Sequence, residues 1–220
     1  MDDNANQTLS GTGKFKHLLL NTLSGTTLTS DMHVEQLFNI NNGILHTGNF
    51  TLILDSGATA QNNGNGDDWI DGNMQQYYVA GNSSAWFLIG DNVDYYPISL
   101  TVDATVGGGV RASAIAGDDA NISSSNIDAA KSVNRHWKID SAGVELSGLS
   151  VTLNWQPADI DAGADWNLFE VSKLHDGIWT PLTVTNRTAT SITASYTGNQ
   201  LSTFQVGQPV CIINIPDANF

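Results

Sequence analysis

The sequence predicts an all-β protein, in which a short β-solenoid-like region is followed by an immunoglobulin-like antiparallel β-sandwich. Three observations lead to this fold class. Apolar and polar residues alternate with a period of two in several segments of the second half, as in strands with one buried face. Gly, Asn and Asp, the residues that favour turns, separate these segments. Helical periodicity is nearly absent, and "SSSNIDAAKSV" supports at most a turn or two.

Residues 15–60 consist of short apolar segments separated by Gly and Asn. Two loosely similar units, "LLLNTLSGTTLTSD" and "LFNINNGILHTGNFTLILDSGA", each contain an apolar run, a turn, a short strand and another turn. Rungs of this kind cannot bury their apolar faces alone, so we expect them to stack as a β-solenoid. One half of a β-sandwich is the alternative interpretation of the same pattern.

The most polar segment, "QNNGNGDDWIDGN" at residues 61–73, is the best candidate for a domain boundary, because Gly, Asn and Asp cluster there without apolar periodicity. We therefore predict a rung-like β region at residues 1–66 and an immunoglobulin-like sandwich at residues 67–220. The junction between them is predicted at residues 67–97.

Beyond this boundary, three segments alternate clearly: "LTVDATV" (100–106), "LSVTLNWQ" (149–156) and "SITASYTG" (191–198). Further strands are predicted at residues 108–117, 134–140, 167–174, 178–184 and 203–214. The total is close to that of an immunoglobulin-like fold. Trp137 and Trp155 share the apolar phase of their strands and are predicted to be core residues. The single cysteine, Cys211 in "VCIINI", excludes a disulfide framework within the chain and is predicted to be a small core residue.

The composition excludes several classes of partner. The formal net charge of −14 repels nucleic acid and anionic lipid. No apolar run approaches the roughly 18 residues of a membrane span. The N-terminal stretch "MDDNANQTLSGTG" lacks the basic and apolar regions of a signal peptide, so a secreted origin would make this chain a trimmed or excised fragment. We expect no nucleic-acid partner and no membrane insertion.

No catalytic signature is present in the sequence. Three glutamates and many loop aspartates give no specific carboxylate pair, and the five histidines are scattered singly. Nucleophile-elbow, zinc-protease and phosphate-loop motifs are absent from the sequence. The protein is therefore predicted not to be an enzyme, and no cofactor other than a calcium ion is suggested.

Of the 22 acidic residues, 19 are aspartates, which favour turns and supply the oxygen ligands that Ca²⁺ prefers. Two loops are candidate calcium sites, and solvated turns are the alternative for both. The candidate ligands in the first are Asn63, Asn65, Asp67, Asp68 and Asp71, and those in the second are Asp159, Asp161 and Asp165.

Six tryptophans suggest a carbohydrate-binding surface, because an exposed indole face can stack on a sugar ring. Four of them lie beside turns: Trp69, Trp86, Trp166 and Trp179. Trp69 and Trp166 are the candidate ligand-binding residues among these.

The order of landmarks along the chain resembles a recurrent module of large secreted surface proteins of Bacteroidetes bacteria. A rung-like "NNGILHTGNFTLIL" precedes "WFLIGDNVDYYPISL" (residues 86–100, called the seam below), and "VNRHWKI", "LSVTLNWQPADID" and "LFEVSKLHDGIWTPL" follow. The seam is similar to the family's "F-P-I-G-x-x-x-x-Y-R-P-V-x-L", with Leu88 at the first proline and Tyr96 at the arginine. The resemblance implies that the seam joins two β regions, with Gly90 in a turn, Tyr95 packed across the junction and Pro97 beginning a strand.

The resemblance also implies a function. Such modules are non-catalytic parts of adhesins, stalks or appendages, which predicts a secreted or cell-surface location and neighbouring modules, identical subunits or surface polysaccharide as partners. Two alternatives remain open. One is a filament subunit that assembles by β-strand addition, and the other is a carbohydrate-binding module of a secreted enzyme.

Overall fold

The computed structural model describes residues 5–64 and 68–211, and these form an all-β structure with a β-solenoid-like arrangement of the first strands. Within the described ranges the only helical elements are three 3₁₀ turns, Ile122–Ser124, Pro157–Asp159 and Trp166–Leu168. No described helix is long and apolar enough to span a membrane. The strands of the first part are β1 (Gln7–Leu9), β2 (Lys14–Asn21), β3 (Thr26–Leu28), β4 (Met32–Asn42), β5 (Leu45–Leu54), β6 (Thr59–Asn62), β7 (Ile70–Tyr78), β8 (Gly81–Phe87) and β9 (Ile89–Gly90).

These first strands stack in parallel as three columns, which confirms the solenoid-like prediction. One column contains β1, β3, the start of β5, the start of β7 and β9. A second contains the starts of β2 and β4, the end of β5 and the middle of β7. The third contains the ends of β2 and β4, followed by β6. Each rung therefore bends between columns and stacks on the rung before it.

Buried apolar side chains of successive rungs stack along the columns. Leu45 and Ile70 occupy equivalent positions in the first column, and Phe38 is buried in the third. The corner between β4 and β5 requires a glycine, because Gly43 has φ = 80° and a Cβ there would lie 1.7 Å from the Thr22 carbonyl oxygen. Stacking thus buries the apolar faces that single rungs cannot bury.

Side chains on successive rungs also bond to each other. The Asn42 Nδ2 group donates to Asn21 Oδ1 at 2.5 Å, across 21 residues of sequence. His33 Nδ1 lies 2.9 Å from Asp55 Oδ1, across 22 residues, and Lys14 Nζ, two rungs from Asp55, donates to its other oxygen. These bonds support the register of the first three rungs.

The strands of the second part are β10 (Ile98–Val106), β11 (Gly108–Ala116), β12 (Ile127–Ala142), β13 (Glu145–Asn154), β14 (Glu170–His175), β15 (Ile178–Pro181), β16 (Thr183–Thr188), β17 (Ser191–Thr197) and β18 (Thr203–Pro209). Together with β7 and β8, they belong to two sheets in which these neighbouring strands pair antiparallel. One has five strands in the order β16-β17-β13-β10-β8. The other runs β7-β11-β12-β18-β14-β15 and continues the parallel strands of the solenoid, so β18 lies between β12 and β14.

The alternation predicted for the strands of the second half is confirmed. Leu100, Val151 and Ile192 are buried, and so are Trp137 and Trp155. The two sheets meet across this core, where the Tyr78 hydroxyl of β7 donates to the Leu100 carbonyl of β10 at 3.1 Å. The buried residues form one cluster that extends from the rungs into the sheets. Because β7 begins in the solenoid columns and ends beside β11, it belongs to both regions.

Lys173 on β14 is an unusual member of this interior. Its side chain is buried, and its ammonium nitrogen lies 4.3 Å from the centre of the Tyr196 ring on β17. Burial lowers the pKa of Lys173, because an apolar environment disfavours the charged form.

Several predicted strand boundaries are wrong. The segment predicted at 167–174 begins at Glu170, because residues Trp166–Leu168 form a 3₁₀ turn. The segment predicted at 178–184 divides into β15 and β16, which belong to different sheets. The last described strand ends at Pro209, so Cys211 lies beyond it and is exposed rather than part of the core.

Candidate functional site

The seam joins the solenoid to the five-stranded sheet through a tight turn. β9 pairs in parallel with the start of β7, and the chain then turns so that Gly90 bridges to Tyr95. Asp91 organises the turn, because its Oδ1 accepts hydrogen bonds from the N–H groups of Val93 at 2.8 Å and Asp94 at 2.9 Å. β10 follows and pairs with β8 and β13.

Trp69 packs directly against this turn. Its Nε1 donates to the Asp91 carbonyl at 2.7 Å, and its ring stacks on Tyr95 with centroids 6.0 Å apart. Gly90 is required for this packing, because a Cβ there would lie 2.7 Å from Trp69 Cδ1 and 2.3 Å from the Asp94 carbonyl. Burial raises the pKa of Tyr95 to about 12. The turn is therefore a packed junction with little open space.

An arginine from another strand holds the seam. Arg135 on β12 is 3% exposed, and its NH2 group donates to Asp91 Oδ2 at 2.8 Å. Its guanidinium also lies 3.6 Å from Asp159 and 3.4 Å from the centre of the Tyr96 ring. The arginine at this junction thus comes from β12, and Tyr96 of the seam provides the ring on which it stacks. Sequence reasoning missed Arg135, since no local pattern indicates this long-range contact.

The pKa of Asp91 reflects this environment. Burial alone would raise it, but the N–H groups of Asp94 and Val93 and the Arg135 guanidinium outweigh burial and lower the pKa of Asp91. The carboxylate therefore stays ionised at neutral pH. It supports the turn and the guanidinium together.

The first predicted calcium loop is only partly described, because Asn65 and Asp67 lie outside the described residues. Asn63 is exposed. Asp68 is buried, and its carbonyl oxygen accepts a bond from Asn62 Nδ2 at 3.2 Å. Asp71 Oδ2 lies 2.9 Å from His46 Nδ1 on the neighbouring rung. Asp68 and Asp71 thus have different partners.

The second predicted calcium loop also directs its carboxylates to separate partners. Asp159 Oδ2 accepts from the Gln156 N–H at 2.8 Å, within the 3₁₀ turn Pro157–Asp159. Asp165 Oδ1 accepts from the N–H and side-chain amide of Asn167. Asp161 accepts from the Ser132 N–H at 2.8 Å. Among the residues with described positions, no three His, Cys, Asp or Glu side chains are grouped as a metal site.

Asp118 and Asp161 meet at Ser132, a cluster that the sequence did not suggest. The Ser132 hydroxyl lies 2.6 Å from Asp118 Oδ1 and 3.3 Å from Asp161 Oδ2. The buried Gln205 amide on β18 also donates to Asp118 Oδ1, at 3.0 Å. The pKa of Asp118 is raised, mainly by burial and also by the nearby charge of Asp161. The hydrogen bonds from Ser132 and Gln205 act in the opposite direction but are outweighed.

The two tryptophans chosen as ligand-binding candidates are not both accessible. Trp69 is 3% exposed, so the expectation that its indole face is open to a sugar is wrong. Trp69 packs against the seam because it directly precedes β7, and the start of β7 pairs with β9 of the seam. Trp166 is half-buried on a 3₁₀ turn and packs against the core. The structure does not bring Trp69 and Trp166 into a shared open surface.

Two exposed aromatic rings lie close together elsewhere, on β7 and β8. Trp86 is 56% exposed and Tyr77 is 42% exposed, and both line a groove of about 240 Å³. The sequence contains a signal for Trp86, because in "SSAWF" it shares the outward phase with Ser84, whereas Phe87 points to the core.

No family model matches this chain, and no curated protein or solved structure shows significant similarity to it.

Proposed function

We propose that this chain is a non-catalytic structural and adhesive module of an extracellular bacterial surface protein, and that its two antiparallel sheets form an immunoglobulin-like sandwich. The observation that carries the proposal is the junction. β7 is shared by the solenoid and the larger sheet, one buried cluster crosses between them, and Arg135 fixes the seam from β12. A module joined in this way is suited to hold a surface at a fixed distance rather than to open and close around a substrate.

The sandwich assignment is supported by two features. From β7 onward the strands of both sheets pair antiparallel, and the buried cluster that both sheets share contains Trp137 and Trp155. Their strands alternate buried and outward residues, as strands with one wet face do.

Equilibrium unfolding tests the junction on which the proposal rests. Trp69 at the seam and Trp137 in the sandwich core provide fluorescence signals when each is kept as a single reporter, and circular dichroism reports all strands. A rigid module unfolds in one transition with the same midpoint by all three signals. Two separated midpoints would show that the regions are independent domains and would overturn the rigid-module proposal.

A filament subunit is a second candidate, and the first rung favours it. The Gln7 N–H donates to Gly25 and the Leu9 carbonyl accepts from Thr29, so the backbone groups of Thr8 point away from β3. In the described part of the chain β1 pairs only with β3 and β2 only with β4, which leaves one edge of each strand open. An open edge can accept a strand from another molecule.

Light scattering after size exclusion, on concentrated protein, tests this second candidate. Assembly that depends on concentration and is reduced by Thr8→Pro but not by Thr8→Ala is the expected result, because proline removes the outward N–H. A single monomeric species at every concentration would exclude the filament.

A further inference from the structure

The groove that contains Tyr77 and Trp86 is lined by residues of β6, β7 and β8. β6 is the last strand of the third solenoid column, and β8 is an edge strand of the five-stranded sheet. The lining residues are Ala58, Thr59, Ala60, Gln76, Tyr77, Ser84, Ala85 and Trp86.

A buried hydrogen bond connects two of the strands that line the groove. The Gln76 side chain is buried, and its Nε2 donates to the Trp86 carbonyl at 2.9 Å, which fixes β8 against β7. Small side chains at Ala58, Ala60 and Ala85 leave the space between the walls unfilled. A ligand would therefore meet a site that exists before binding, which lowers the entropic cost of association.

The lining carries no charged side chain, although the chain has a net charge of −14. A cationic ligand would find no carboxylate to pair with in the groove, and an anionic ligand would be repelled by the chain as a whole. The charge distribution therefore selects an uncharged ligand.

The side chains also define the shape and polarity of that ligand. Trp86 and Tyr77 offer two aromatic surfaces, and Thr59 and Ser84 offer hydroxyl groups beside them. Aromatic surfaces with a few polar groups are typical of sites that bind flat, partly apolar molecules. A pyranose ring matches the aromatic surfaces through the C–H groups on its faces, and it matches the hydroxyl groups of the groove through the hydroxyls around its rim.

The outer face of the five-stranded sheet extends this chemistry beyond the groove. Ser84 on β8 is in register with Thr101, Ser150 and Ser195 on the next strands. The Ser84 and Thr101 hydroxyls lie 2.8 Å apart. A chain of sugar rings that leaves the groove would thus continue over uncharged hydroxyl groups.

We propose that this groove binds a neutral oligosaccharide through stacking on Trp86 and Tyr77. The inference rests on the proposed adhesive function and names the ligand class of that function. An extended peptide added to the open edge of β6 or β8 is the competing occupant. The aromatic rings favour the saccharide, because a peptide strand would bind through backbone groups and would depend little on the Trp86 side chain.

The test uses the full chain and defined probes: neutral glucan, mannan, galactan and chitin oligosaccharides, with a uronate oligosaccharide as the charged comparison. Binding is followed by tryptophan fluorescence and by calorimetry. We expect saturable binding to at least one neutral probe and a loss of tenfold or more in affinity for Trp86→Ala. Phe50→Ala, which removes an exposed aromatic ring outside the groove, should leave the affinity unchanged.

A second variant distinguishes loss of binding from loss of folding. Thr59→Arg places a bulky charge in the groove from an exposed position and should abolish binding while the unfolding midpoint is retained. Absence of binding to every neutral probe, binding only to the uronate, or binding that Trp86→Ala does not weaken would overturn the proposal. Each of these outcomes would leave the single unfolding transition intact, so the rigid-module proposal is judged separately.

Discussion

The Arg135 guanidinium lies between Tyr96 and Asp91, 3.4 Å from the centre of the tyrosine ring and 2.8 Å from the carboxylate. It joins β12, an inner strand of the larger sheet, to the residues that carry the chain from the solenoid into the five-stranded sheet. A charge in this position is both stacked and paired, which is how proteins accommodate buried arginine.

Arg135→Ala is expected to lower the free energy of unfolding by about 3 kcal/mol, because it leaves Asp91 without its cation and opens a cavity beside Tyr96. Arg111→Ala is the matched control, since Arg111 forms a surface pair with Asp140 at 3.3 Å. That change should cost less than about 1 kcal/mol. Urea unfolding measures both, and equal losses would show that the seam does not depend on Arg135.

Gly90→Ala is expected to destabilise the protein by about 1–3 kcal/mol, because the new methyl group would collide with the Asp94 carbonyl and the Trp69 ring. Gly13→Ala is the control, since a Cβ at Gly13 meets no atom within 4 Å. Thermal unfolding of the two variants gives the comparison. A Gly90→Ala protein as stable as Gly13→Ala would contradict the packing described at the turn.

Asp118→Asn is expected to stabilise the protein at neutral pH. The folded-state pKa of Asp118 is raised, so its ionised form disfavours folding above that pKa, and this cost disappears as the pH falls through it. The asparagine oxygen can still accept from Ser132 and Gln205. The stability difference between variant and wild type should therefore be largest near neutral pH and vanish in acid.

For Asp91→Asn, the expected change in stability at neutral pH has the opposite sign. The pKa of Asp91 is lowered, so its ionised form stabilises the fold above the ordinary aspartate range, and this contribution is lost as the pH falls through the folded-state pKa. The variant should be less stable than wild type at neutral pH, and the two should converge in acid. Urea midpoints across this pH range check both aspartates, and differences of the same sign would contradict their assigned environments.

Lys173→Met is expected to raise the free energy of unfolding at neutral pH by about 1 kcal/mol, because a buried ammonium is replaced by an apolar side chain of similar length. The folded-state pKa of Lys173 is lowered, so wild type gains stability as the pH rises through that pKa and the difference shrinks. The exposed Lys138→Met is the control and should show little of this pH dependence. Loss of stability in Lys173→Met at neutral pH would indicate that the charge over Tyr196 supports the fold.

The sequence was informative where the pattern is local. Period-two alternation placed Val151 and Trp155 in the core correctly, and short apolar runs between turns predicted the stacked rungs. Local pattern failed where packing between distant elements determines whether a residue is buried. Trp69 lies in a polar stretch, yet it is buried because Gly90 and Tyr95 pack against it from the next rung.

The same limit applies to the charged residues. The spacing of Asp159, Asp161 and Asp165 predicts one cation site, but it does not predict the separate hydrogen-bond partners that the three carboxylates have in the structure. The pairing of Asp161 with Asp118 through Ser132 depends on the position of β12 beside the loop, and sheet order cannot be read from residue spacing.

The place of β18 has a consequence for biosynthesis. This strand is the last one described along the chain, yet it lies inside the larger sheet and pairs with both β12 and β14. Until Thr203–Pro209 has left the ribosome, the edges of β12 and β14 that pair with β18 have unpaired backbone N–H and C=O groups. A polypeptide that terminates before this strand would keep two open edges, whereas a chain that includes β18 closes them.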